Sequence, residues 1–70
     1  MTDKELRDKA YLITTGHHLI ESFTYEEYQS TDITNYLWQP LEDWTITDLD
    51  QHITSLAEDI FSNLKAVRDA

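Results

Sequence analysis

Residues 47–68, TDLDQHITSLAEDIFSNLKAVR, decide how this chain folds. Leu49, Ile53, Leu56, Ile60, Leu64 and Val67 recur every three or four positions, which puts them on one stripe of an α-helix. Thr47 with Asp50 three residues on has the spacing of a capping box, and Lys65 and Arg68 suit the negative end of the helix dipole. At the usual rise per residue such a helix is ~33 Å long.

A helix this long needs a partner, and the other end of the chain supplies one. Thr2 and Glu5 have capping-box spacing, and the periodicity predicts a helix over 2–23. Leu6, Ala10, Ile13, His17 and Ile20 form one stripe, while Leu12, Gly16, Leu19 and Phe23 form a second beside it. An apolar arc that wide is expected to meet two elements of a small bundle, or one element and a second subunit. Gly16 lies on the second stripe, where it would let a neighbouring helix approach closely, with a kink at Thr14-Thr15-Gly16 as the alternative.

Between these helices the signals are weaker. Thr24 and Glu27 could form another capping box, Ser30-Thr31-Asp32 offers a further cap, and Pro40 interrupts any helix through Gln39. The expected order is a turn, a short helix over 33–38 and a second turn over 40–45. A hairpin pairing 23–25 with 35–38 competes, since both runs are rich in strand formers, but no glycine-containing turn separates them. The predicted fold class is therefore all-α, a small bundle of about three helices in one domain spanning 1–70.

Composition narrows the function. Seventy residues and 8.3 kDa allow one small core with an expected radius of gyration of ~11 Å, too little to enclose a cofactor-sized pocket. There is no cysteine, which excludes disulfides, thiolate metal sites and a thiol nucleophile. The hydrophobic share of 40% argues against disorder. No apolar run approaches a membrane span and the first ten residues lack the order of a signal peptide, so a soluble, cytoplasmic protein is expected.

Charge is the most informative property. Asp and Glu number 14 against 5 Lys and Arg, a formal net charge of −9. Lys4, Arg7 and Lys9 lie near one end and Lys65 and Arg68 near the other, so residues 10–64 hold acids and no Lys or Arg. Such a chain repels nucleic acid and anionic lipid and attracts basic surfaces. Phe23, Tyr25, Tyr28, Tyr36, Trp38 and Trp44 fall within 23–44 among Glu26, Glu27, Asp32, Glu42 and Asp43. Some of these rings must fill the core. Exposed ones beside carboxylates suit a protein-binding surface, because a partner's Arg can pair with the acid and stack on the ring. The expected partner-binding residues are Tyr25, Glu26, Glu27, Tyr28, Tyr36, Trp38, Glu42, Asp43, Trp44, Asp48, Asp50, Glu58 and Asp59.

In size and in its acid-only stretch over 10–64, the chain resembles the small, acidic, cysteine-free proteins, many encoded by phages, that inhibit DNA-binding host machinery by imitating nucleic acid. The targets of that class include CRISPR effectors, restriction enzymes and histone-like proteins. The resemblance implies a non-enzymatic inhibitor, with a basic nucleic-acid-binding protein as partner and the host cytosol as location. A ~33 Å length of duplex carries ~19 phosphates, about twice the net charge here, so one strand or a local patch is the object imitated. An immunity protein or antitoxin covering a cationic toxin would share these properties. So would a helical adaptor or homodimer whose acidity serves only solubility.

Chemistry-bearing patterns are sparse. Asp48, His52 and Ser55 recur on one helix flank but cannot surround a substrate. His17 and Glu21, four apart, with His18 beside them, offer too few ligands for a zinc shell, and no metal or cofactor is expected. Zinc titrated calorimetrically should accordingly bind weakly and without fixed stoichiometry; a submicromolar one-to-one isotherm lost in His17→Ala would contradict this.

Overall fold

The computed structural model describes residues 1–37 and 43–70. It is all-α: helix α1 (Asp3–His18), a short α2 (Tyr25–Ser30), a single 3₁₀ turn (Ile33–Tyr36) and a long α3 (Ile46–Arg68). Among the described residues there is no strand, and no helix is long and apolar enough to cross a membrane. The long helices lie side by side and antiparallel, giving a body of 39 × 20 × 15 Å. Its radius of gyration, 12.4 Å, exceeds that of a compact chain of this length because α3 sets one dimension alone.

All three helices begin with a reciprocal capping box. The Thr2 hydroxyl accepts from the Glu5 amide while the Glu5 carboxylate accepts from the Thr2 amide, both at 3.2 Å. Thr24 and Glu27 repeat the arrangement at α2, where a turn was the expectation. At α3 the pair is Thr45 and Asp48, two residues ahead of the expected Thr47 and Asp50. The expected helix over 33–38 is reduced to the 3₁₀ turn, whose first residues are capped by Asp32 accepting from the Thr34 amide at 3.1 Å. The turn expected over 40–45 and Trp38 fall partly or wholly outside the described residues. No hairpin forms between 23–25 and 35–37: residues 24–25 enter α2, and the one antiparallel bridge joins Leu19 to Leu37.

α1 ends at His18, five residues short of the expected boundary, because threonine chemistry competes with the helix. Thr14 and Thr15, both fully buried, donate their hydroxyls to the carbonyls of Ala10 and Tyr11 one turn back. The Thr15 hydroxyl also accepts from the amide of Phe23 at 2.8 Å, which fastens the returning chain against the helix it has just left. Leu19 is already extended, and the Ile20 amide donates to the Tyr36 carbonyl. Leu19 and Phe23 are buried, but from a loop and not from a continuation of the helix. Gly16 does permit a close approach, though of this same loop: a Cβ there would lie 2.7 Å from Ser22 Oγ.

The buried face of α1 is Leu6, Ala10, Tyr11, Thr14 and Thr15, rotated away from the stripe that apolar counting picks out. Ile13 and Ile20 are 40% and 60% exposed. On α3 the buried residues are Leu49, Ile53, Ala57 and Phe61, with Leu56, Ile60 and Leu64 half-buried and Val67 outside at 77%. Ala10 and Ala57, both fully buried, keep the helix–helix seam thin. Two clusters result: Leu6, Ala10 and Phe61 at one end, and Tyr11, Leu19, Phe23, Tyr28, Ile33, Leu49, Ile53 and Ala57 toward the other.

Removing the Thr15 hydroxyl without changing its volume isolates that tie. Thr15→Val leaves the buried Phe23 amide unpaired and should lower the unfolding free energy by about 1–3 kcal/mol, measured by urea denaturation.

Candidate partner-binding surface

Because α1 and α3 run antiparallel, the two cationic patches of the sequence become one end of the molecule. Arg68 pairs with Asp3 at 2.7 Å and with Asp69 at 2.8 Å, Lys65 lies 3.5 Å from Asp3, and Arg7 pairs with Glu58 at 2.8 Å. The Arg68 bonds hold the Asp3 and Asp69 carboxyls below their ordinary range. Asp3, Glu5, Asp8, Glu58 and Asp69 match the five cations in number, so the formal charge of −9 belongs to the rest of the surface.

The acids expected to bind a partner do not share one face. With 3.6 residues per turn, Asp50 and Glu58 fall on the flank of α3 toward α2, and Asp48 and Asp59 on the far side. Asp48 is committed to its cap, Glu27 to Thr24 and Glu58 to Arg7. The Thr24 hydroxyl bond lowers the Glu27 pKa. Glu26, Asp43 and Asp59 are exposed, and Asp43 takes a positive φ of 68° immediately ahead of Trp44. Glu42 lies outside the described residues.

The tyrosines divide between core and surface. Tyr36 packs edge-on against Phe23 with ring centroids 5.0 Å apart, and is half-buried. Tyr28 is buried, and its hydroxyl donates to Asp50 Oδ1 at 2.5 Å. Burial and that carboxylate push its pKa well up. Tyr25 is half-buried, meeting Tyr11 edge-on at 5.0 Å, with its amide donating to Asp8 and its hydroxyl accepting from Gln29. Tyr11, absent from the expected set, forms the floor between Tyr25 and Tyr28, and burial raises its pKa as well. It lies on neither apolar stripe counted in the sequence; the available signal was its spacing from Thr15, four residues on, and Ala10, one before. These side chains line an open groove of about 570 Å³ between α2 and α3, adjoining a second of about 510 Å³ at the cationic end. Both are surface grooves that enclose nothing.

A third cluster joins the elements at the other end. His18 meets His52 edge-on with centroids 4.9 Å apart, and Trp44 also meets His52 edge-on, at 5.1 Å. The expected roles of the neighbouring histidines are reversed: His17 is exposed and His18 half-buried, because the buried face of α1 continues through Thr14 and Thr15 to residue 18. Glu21 lies beyond the end of α1, so it is not one helical turn from His17. Among the described residues no three His, Asp or Glu side chains gather as metal ligands would.

Comparison with protein-family models, with curated proteins and with solved structures returns no match.

Burial, followed by the neighbouring His52 and His17, lowers the His18 pKa below its ordinary value. The unfolded chain therefore takes up a proton at higher pH than the folded one, and His18 supports folding above ~6.5 and progressively less as pH falls toward its folded-state pKa. Urea midpoints should drop between pH 7.5 and 5.5, before the carboxylates titrate, and His18→Gln should flatten that drop.

Proposed function

We propose that this chain is a non-enzymatic inhibitor that binds a basic nucleic-acid-binding protein and blocks its nucleic-acid site with an acidic surface. A phage-type anti-CRISPR or anti-restriction protein acting in the host cytosol is the form that fits best. The observation that carries the reading is charge segregation. All five cations collect at one end, where Arg7, Lys65 and Arg68 are paired with acids, and the rest of the described surface carries acids without Lys or Arg. A molecule with this field is steered toward cationic grooves and away from nucleic acid itself. Trp44, 44% exposed and next to Asp43, stands among those acids as a rigid anchor of the kind that dominates interface energies, with Tyr25 half-buried at the border of the cationic end.

A second reading, self-association as a homodimer or adaptor, draws on Leu12, Ile13 and Ile20, which present apolar side chains to solvent on α1 and the turn after it. Light scattering at micromolar concentration separates the two: a monomer speaks against it.

For the inhibitor reading the test begins with capture of the partner from host lysate and its identification by mass spectrometry. Glu26→Gln, Asp43→Asn, Asp50→Asn and Asp59→Asn combined spare the carboxylates that cap α3 and pair with Arg7; asparagine also tolerates the positive φ at 43. Association should slow in this variant and, in the wild type, slow steeply with salt as the screening length falls below ~8 Å. Nucleic acid already bound to the partner should compete. An association rate unchanged by the four substitutions, or a complex indifferent to bound nucleic acid, refutes phosphate imitation.

A further inference from the structure

The two grooves adjoin at Tyr25 and Gln29, which border both. Asp3, Lys4, Arg7 and Asp8 of α1 line the one at the cationic end, whereas Tyr11 is the floor of the other, between α2 and α3. The boundary between them already shows how these side chains hold a guanidinium. Arg7 places its guanidinium carbon 4.5 Å from the centre of the Phe61 ring and 5.4 Å from that of Tyr25, while Nη1 donates to Glu58 Oε1 at 2.8 Å. One carboxylate and two rings hold one arginine.

The groove between α2 and α3 offers similar chemistry. Tyr25 supplies a half-buried ring above the buried Tyr11 and Tyr28, and Asp50 supplies a carboxylate, with Thr54 between Asp50 and Glu58. Tyr28 fixes Asp50 by donating to Oδ1, which orients the carboxylate without consuming Oδ2. No Lys or Arg is among the residues that line this groove, although Arg7 reaches Glu58 at its edge. We propose that the groove receives an arginine side chain from the basic partner, stacked on tyrosine and hydrogen-bonded to Asp50, beside the intramolecular Arg7. Arginine suits the site better than lysine: its planar, weakly hydrated guanidinium stacks on rings and donates in several directions at once, whereas an ammonium is a strongly hydrated point charge. The inference rests on the cationic-partner reading and adds where on the molecule that partner's arginine enters.

The test needs no identified partner. Acetyl-Arg-Arg-Arg-amide, with lysine and citrulline counterparts, is titrated into isotopically labelled protein and followed by amide chemical shifts. Shifts should concentrate at residues 25–29, 50, 54 and 58, the arginine peptide should bind more tightly than the lysine peptide, and citrulline should not bind. Asp50→Asn should weaken binding ~2- to 5-fold, as expected for one partly exposed charge pair. Thr54→Arg, which supplies the groove with a guanidinium of its own, should weaken it at least as much, whereas Glu21→Gln, exposed in the loop after α1 and lining neither groove, should change little. Matching circular dichroism spectra would establish that the variants are folded. Equal affinity for arginine and lysine peptides, shifts concentrated outside the groove, or equal sensitivity to Asp50→Asn and Glu21→Gln would overturn the proposal. Such a result would leave the inhibitor reading intact, because a basic protein could still engage the acids elsewhere; conversely, specific arginine capture would survive the failure of nucleic-acid competition.

Discussion

The hydroxyl of Thr15 is the constraint from which the rest of the molecule follows. It sits in the dry seam, donating to a carbonyl of its own helix and accepting from the amide of Phe23 eight residues later. That pair of bonds decides where α1 stops and turns residues 19–24 into a strap lying back along the helix. With the strap fixed, Leu19 can bridge to Leu37 and Thr24 is delivered to the position from which it caps α2. Had the helix continued through Phe23, α2 would have no reason to lean on α1, and there would be no groove between α2 and α3.

Electrostatics acts at a longer range with the opposite emphasis. A chain this acidic repels itself, and its few cations are placed where they reduce that cost, bridging the first turn of α1 to the last turns of α3. Their pairs are exposed, so each stabilises modestly. Their larger effect is to gather every positive charge at one end. The molecule is thereby sided, although no single helix face is.

The sequence made the long helices legible because their apolar residues are frequent and their ends carry capping pairs, and the all-α class followed. Phase was the harder property. Ala10, Thr14 and Thr15 are the most buried residues of α1, with Tyr11 next, yet Thr14 and Thr15 are polar, so counting aliphatic residues rotated the predicted face toward Ile13 and Ile20. Nothing in the one-dimensional pattern states that a threonine will satisfy its hydroxyl on its own backbone. At α3 two Thr–acid pairs compete two residues apart, and spacing alone cannot rank Thr45–Asp48 against Thr47–Asp50. For the surface, the mixture of tyrosines and acids was visible, but the partnerships of Asp50 with Tyr28 and of Glu58 with Arg7 span 22 and 51 residues and needed the fold.

The antiparallel pairing of the first helix with the last has a kinetic consequence. Each long helix covers its apolar face chiefly with the other, so neither is protected until segments some fifty residues apart have met. Bundles whose neighbouring helices pair through short turns close small loops first and fold fast, whereas here the entropy of closing a large loop is spent before the main contacts reward it. The seam therefore gives the protein a non-local folding route for a helical bundle, in which α2 can cover Tyr11 early but Leu6 and Ala10 stay uncovered until α3 arrives.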